Sequence, residues 1–322
     1  MRSLMVVLAL AFGLLCPGPL RAENPRVPGP WRPATGLVQV PIWPHGAPDM
    51  ADWKQPPETV EVNDTTATLG HRSEAAWDVR DPTMTVYPPK GRNSGAAIVV
   101  FPGGGFQAVV VTLEGTEICD WVTAHGMTCI LSKYRVPGTN HYWNAACNCH
   151  VSPPVPRALQ DAQRTIRLVR SRAAALGVDP KRIGVMGFSA GGYLVAQTSN
   201  IFAPSYRPVD AIDRVSSRPD FAIALYPGHL CREGGKFDPS IHVGKTAPPT
   251  FLVQAWDDPV DEICNSTMYA RALDAAGVPS EVHLFAHGGH AFALRKAGEP
   301  VGRWPSLLLA WLGEMHIVPP SR

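Results

Sequence analysis

Between residues 183 and 193 a short apolar run passes into Gly187, Phe188, Ser189, Ala190 and Gly191, and then into a helix-forming segment. A strand that turns this sharply into a helix forces its apex residue into an uncommon backbone conformation and pushes that side chain out at the helix N-terminus. Gly187 and Gly191 fit such a turn because a Cβ at either position would strike neighbouring backbone. Ser189 therefore reads as a nucleophile. A serine hydroxyl attacks poorly at neutral pH unless a base takes its proton, so an imidazole and an orienting carboxylate must accompany it. When the nucleophile sits on such an elbow, the acid and then the histidine come from loops after later strands. Asp257 and Asp258 directly follow the predicted strand at 250–255, and His287 and His290 follow the one at 282–285. Asp258 is favoured because Pro259 fixes the next torsion and stops the chain from continuing as a strand. His290 is favoured because Gly288 and Gly289 give a flexible lead-in for its imidazole. Asp257 and His287 remain the alternatives, with His287 read as a surface residue.

Acyl transfer also needs donors for the negative oxygen of a tetrahedral intermediate. Gly103, Gly104 and Gly105 follow the apolar run at 97–101. The amides of Gly104 and Gly105, with that of Ala190, are the oxyanion-hole candidates. A phosphate-binding glycine loop is excluded, because no lysine and hydroxyl residue follow these glycines in the required way.

These residues need a scaffold that brings distant loops to one rim. From residue 96 the pattern alternates strand and helix. Buried strands are expected at 97–101, 127–131, 183–186, 221–225, 250–255 and 282–285, and helices at 157–176, 191–199, 261–276 and 305–315. Such alternation predicts an α/β fold, a mostly parallel central sheet with helices on both faces. On the helix at 157–176, Gln160, Arg164, Arg167 and Arg170 are expected to form a solvated face. Candidate strands at 59–62 and 84–87 are expected to add an antiparallel edge. The long loop at 135–156 is expected to roof the site, its Tyr142 and Trp143 either stacking on a sugar ring or packing inward.

Arg2, the apolar run at 4–15 and the small residue Ala22 come in the order of a secretory signal peptide, which predicts a leader at 1–22 and a single domain at 23–322. Lipid attachment at Cys16 is the alternative to simple cleavage. The apolar run is too short to span a bilayer, so no stable membrane insertion is expected, and the mature chain is expected to be secreted or periplasmic. Six cysteines remain beyond the leader, an even number that suits disulfides in an exported chain. Cys231 and Cys264 each follow a predicted strand by a few residues, which favours that pair. Metal binding by Cys147, Cys149 and His150 lacks a second ligand pair at zinc-like spacing.

Among 322 residues, 45% are hydrophobic and 17% charged, enough apolar surface for a large core. Basic and acidic residues number 29 and 27, for a formal net charge of +2. No run of one sign tracks a phosphate backbone, so nucleic acid is not an expected partner.

Together FPGGGF at 101–106, GFSAG at 187–191, DDPV at 257–260 and GGHAF at 288–292 resemble the α/β-hydrolase esterases. More narrowly, IWPHGAPDM at 42–50, YRVP at 134–137 and ALQDAQR at 158–164 resemble the bacterial acetylxylan esterase and feruloyl esterase-like branch. The resemblance implies Ser189 as nucleophile, His290 as base and Asp258 as its orienting carboxylate, with no metal or organic cofactor. It implies short acyl esters, acetyl above all, on plant polysaccharides or other small ester substrates. Arg135 and Asp161, which lie in the shared motifs, read as a structural ion pair. Ala291 stands where many relatives have glycine, and Pro102 where lipase-like relatives often have histidine. The same residues could also serve a peptidase or a broad lipid esterase, and the fold could persist as a non-catalytic binding module.

Overall fold

The structure, a computed structural model, describes residues 25–63, 71–137, 143–144, 149–150 and 155–319, with the backbone alone at 143–144 and 149–150. The expected leader, Cys16, Tyr142 and Cys147 lie outside these residues, as do the side chains of Trp143, Cys149 and His150 and most of the expected roof.

The amino-terminal part is β-rich, with β1 (Arg26–Pro28), β2 (Gln39–Pro41), β3 (Thr59–Asn63), β4 (Ser73–Trp77) and β5 (Thr83–Tyr87). There follow β6 (Ala97–Phe101), β7 (Ala108–Val109), α1 (Glu117–Ala124) and β8 (Thr128–Lys133). A short antiparallel pair, β9 (Trp143–Asn144) and β10 (Cys149–His150), precedes α2 (Pro156–Ser171), β11 (Ile183–Phe188) and α3 (Ala190–Thr198). The chain continues through β12 (Ala222–Leu225), the small hairpin β13 (Cys231–Arg232) and β14 (Lys236–Phe237), and then β15 (Thr250–Ala255). It closes with α4 (Cys264–Ala275), β16 (Ser280–Phe285) and α5 (Trp304–Glu314).

Eight strands form the central sheet in the order β16-β15-β12-β11-β6-β8-β5-β2. From β16 to β8 every pairing is parallel, and β5 and β2 extend the β8 side antiparallel. Every residue of β6, β8, β11, β12 and β15 is buried. Burial on both alternating faces means that both faces are covered, which explains why these strands read as continuous apolar runs. The expected α/β architecture is the observed one.

Three local expectations need correction. The strand expected at 59–62 does not edge the central sheet. As β3 it pairs with β1 and β4 in a separate antiparallel sheet ordered β1-β3-β4-β7. Its paired strand β4, SEAAW, lacks the alternation that marks a strand in sequence. The helix expected from residue 261 begins only at Cys264, because the Asp258 carboxylate accepts the amides of Val260 and Asp261 and folds 258–261 into a turn. The expected solvated face of α2 is also wrong, since Gln160, Arg164 and Arg167 are buried. The chain at 201–216 lies over them. Arg164 pairs with Asp210 at 2.6 Å and Asp213 at 2.8 Å, and Arg167 donates to the Tyr206 hydroxyl and the Val215 carbonyl. Helical periodicity separates polar from apolar faces but does not reveal a second polar layer that satisfies the arginines.

A buried network ties the amino-terminal segment to the sheet. Arg135 grips Asp161 at 2.9 Å with both side chains fully buried, and donates to Gln160 and to the Pro48 carbonyl. Trp43 donates its indole N–H to the same Asp161 carboxylate at 2.8 Å. Arg164 reaches the carbonyl of Ile42. Three motifs distant in sequence thus meet at one charge pair, where burial raises the Asp161 pKa against the opposing pull of Arg135 and Trp43.

Candidate active site

Ser189, Asp258, His290 and the glycines at 103–105 follow β11, β15, β16 and β6, all at the carboxyl ends of parallel strands, where open α/β sheets place their ligands. Ser189 has φ +51° and ψ −119°, a conformation that non-glycine residues rarely adopt. A Cβ on Gly187 would come within 2.1 Å of the Gly191 carbonyl oxygen, and one on Gly191 within 1.9 Å of that of Phe101. These clashes are the collisions expected of a tight elbow. The Ser189 carbonyl accepts the amides of Gly192 and Gly228, which fastens the turn to both sides.

The His290 Nε2 lies 3.0 Å from Ser189 Oγ, and its Nδ1 lies 2.8 Å from Asp258 Oδ2. The Asp258 side chain is fully buried, with Oδ1 taken by the amides of Val260 and Asp261 and Oδ2 by the imidazole. The structure therefore brings Ser189, His290 and Asp258 together. His287 and Asp257 form a separate pair on the surface, 3.3 Å apart, with the His287 side chain 85% exposed. Asp257 accepts the amides of Gly288 and Gly289, chiefly the latter, and these bonds hold its carboxyl below the usual carboxylate range. It pins the turn that delivers His290. Beyond that turn Ala291 sits at φ +54°, the left-handed region in which glycine is most at ease.

The glycine loop approaches the serine closely. An added Cβ on Gly103 would fall 2.9 Å from Ser189 Cβ and 2.7 Å from the Phe188 carbonyl oxygen. Its amide is already taken by Glu114 Oε2 at 2.7 Å. Among the described residues no hydrogen bond engages the amides of Gly104, Gly105 or Ala190, and the last is one of the donors that a helix N-terminus leaves open. Tyr134 donates its hydroxyl to the Pro102 carbonyl at 2.5 Å and fixes the base of the loop.

Two acidic groups escaped the sequence reading. Glu114 lies on a π-helical turn at Thr112–Thr116, fully enclosed, and also accepts the Tyr226 hydroxyl at 2.9 Å. Burial raises its pKa, partly opposed by His290 and by its two hydrogen bonds. The Tyr226 ring packs edge-on against His290, with centroids 4.9 Å apart. The second group, Asp261, accepts from Ser189 Oγ at 3.2 Å. Neither has a sequence signal, because each reaches the site through chain packing.

For His290, burial favours the neutral imidazole. The hydrogen bond to Asp258 and the charges of Asp261, Asp258 and Glu114 outweigh it and raise the pKa above the ordinary histidine value. The arrangement can lower the cost of removing a hydroxyl proton and can collect negative charge near three amides. Among the described residues no group of three or more His, Cys, Asp or Glu side chains is arranged to hold a metal ion. None of their helices is long and apolar enough to cross a membrane. Disulfides join Cys119 to Cys129 and, as the sequence favoured, Cys231 to Cys264.

The prolyl oligopeptidase family profile matches residues 159–316, and the BD-FAE profile matches residues 84–202. The chain is 28% identical over 225 residues to an acetylxylan esterase of Xylanibacter ruminicola, an alignment covering 62% of this chain but 41% of that protein. The chain thus spans less than half the length of that relative. It is 27% identical over 292 residues to the carboxylesterase NlhH of Mycobacterium tuberculosis, covering 78% and 83% of the two chains. Among solved structures, an acetyl ester-xyloside bifunctional hydrolase from Caldicellulosiruptor lactoaceticus superposes with a TM-score of 0.67 at 29% identity, over 91% of this chain and 98% of that one. The two profiles overlap on the very stretch that carries the serine elbow, and the parallel sheet supplies the rest of the site in the order acid, then histidine. The chain has the α/β-hydrolase fold, and the sequences and structures it resembles are α/β-hydrolases.

Proposed function

We propose that this protein is an exported serine esterase that removes short acyl groups, acetyl above all, from plant polysaccharides such as xylan or from their oligomers. The observation that carries this reading is the continuous chain from Asp258 to His290 to Ser189, at 2.8 and 3.0 Å, beside a glycine loop with open amides. Likeness to the acetylxylan esterase and to the acetyl ester-xyloside hydrolase supports the substrate class.

In this reading Ser189 Oγ attacks the ester carbonyl carbon while its proton passes to His290 Nε2. The carbonyl oxygen takes up the negative charge and is held by the amides of Gly104, Gly105 and Ala190. The intermediate collapses, the bond to the alcohol breaks, and His290 returns the proton to the departing oxygen. Water then attacks the acyl-serine and gives a proton to the same nitrogen. As the second intermediate collapses, the bond from the acyl carbon to Ser189 Oγ breaks, His290 returns the proton to Oγ, and the acid leaves. Asp258 keeps the Nδ1 proton in place and stabilises the imidazolium in both halves.

Ser189→Ala should abolish turnover of 4-nitrophenyl acetate and labelling by a fluorophosphonate, with an unchanged circular dichroism spectrum; near-normal turnover would refute the assignment. The prolyl oligopeptidase match favours a second reading, cleavage of peptide amides. Acetylated xylan, esters of graded acyl length and peptide amides assayed side by side separate the two. Residues 1–22 serve in this reading as a cleaved leader and 23–322 as one domain, so the secreted protein should begin at Glu23.

A further inference from the structure

Asp261 is placed where the triad reading needs no group. Its Oδ2 is 3.2 Å from Ser189 Oγ and 3.8 Å from His290 Nε2, and its side chain is 4% exposed. The fold makes room for it. A Cβ on Gly228 would lie 2.6 Å from Asp261 Oδ1, so any residue other than glycine there would displace the carboxylate. The side-chain amide of Gln254, on β15, donates to the Asp261 carbonyl at 2.5 Å and fixes the backbone beneath it.

The consequence follows from counting protons. Ser189 Oγ has one hydrogen and two acceptors within reach, His290 Nε2 and Asp261 Oδ2. With a neutral imidazole, Nε2 carries a lone pair and takes the serine hydrogen, which is the reactive arrangement. With a protonated imidazole, Nε2–H donates to Oγ, and the serine hydrogen turns to Asp261. Every donor in the row Asp258, His290, Ser189, Asp261 is then satisfied, with two carboxylates flanking one cation. Only the protonated row uses Asp261 as a hydrogen-bond acceptor from the nucleophile.

We propose that Asp261 is a second acid of the site, which anchors the Ser189 hydroxyl in a resting row with protonated His290 and so sets how acidic the medium can become before the enzyme falls silent. This rests on the triad reading and deepens it. Four groups face the imidazole from the elements around it: Asp258 after β15, Asp261 before α4, Glu114 on the π-helical turn and the Tyr226 phenol after β12. Asp258 binds the opposite ring nitrogen in both protonation states, and Glu114 is held by Gly103 and Tyr226. Asp261 alone of the three carboxylates reaches the serine.

The test is the acid limb of kcat/KM in Asp261→Asn, read on the normalised profile with 4-nitrophenyl acetate. It is accompanied by proton NMR titration of the His290 imidazole, which needs no turnover. Loss of a charge at this distance should move both midpoints to lower pH by about one unit. Unmoved midpoints, or midpoints moved to higher pH, overturn the proposal. Asp261→Ser, smaller and uncharged, gives the same two readings if asparagine cannot be accommodated. Should Ser189→Ala retain turnover, the triad reading itself falls; should it be inert while the Asp261 variants titrate like the wild type, only the role of Asp261 falls.

Discussion

The Glu114 carboxylate accepts the Gly103 amide at 2.7 Å, so an acid from the π-helical turn holds the first glycine of the loop that faces Ser189. Its other oxygen takes the phenol of Tyr226, the ring packed on His290. One buried side chain thereby couples the electrophilic side of the site to the base.

Glu114→Ala strands two buried donors, the Gly103 amide and the Tyr226 hydroxyl. The expected cost is about 2–4 kcal/mol of stability, with kcat/KM lowered roughly tenfold or more as the loop loses its anchor. Glu114→Gln keeps one acceptor and should lose less on both counts. Urea unfolding and steady-state kinetics measure the pair, and full activity in the alanine variant would show that the loop holds its shape unaided.

Activity should follow the charge state of His290 with a definite sign. The base works only when neutral, and its carboxylate neighbours raise its pKa, so kcat/KM should rise through a midpoint above the ordinary histidine value of about 6.5. A midpoint at or below that value in the wild-type profile would contradict the electrostatics described for the site.

Arg135→Met leaves Asp161 buried with Trp43 as its remaining side-chain partner and cuts the tie to Pro48. Removing one member of a fully buried pair should cost about 3–5 kcal/mol. The midpoint of urea unfolding would fall accordingly, while a change below roughly 1 kcal/mol would mean that water replaces the guanidinium.

Legibility divided along physical lines. The elbow, the glycine loop and the order of acid and histidine are local or sequential features, and they were readable because tight turns restrict residue type and parallel strands restrict order. Within each ambiguous pair the reasoning from Pro259 and from Gly288–Gly289 selected the residues that the structure brings to Ser189. Glu114 and Asp261 were invisible: a carboxylate on an amphipathic turn, or one taken for the first residue of a helix, carries no mark of the burial that three-dimensional packing imposes. The same blindness hid the enclosure of Arg164 and Arg167, since polar residues at helical spacing look alike whether water or aspartate satisfies them. The strand at 73–77 escaped because its pattern, SEAAW, lacks alternation.

Ser189 keeps φ at +51° with a side chain attached, and such backbone conformations typically cost on the order of 1–3 kcal/mol. Glycine would sit there without that penalty, so Ser189→Gly should unfold at a higher urea concentration than the wild type even after its looser unfolded chain is counted. The position of the nucleophile is thus held at a conformational cost borne by this one residue. Laboratory evolution scored on heat resistance alone should drift toward glycine at this position and return a sturdier, inert protein.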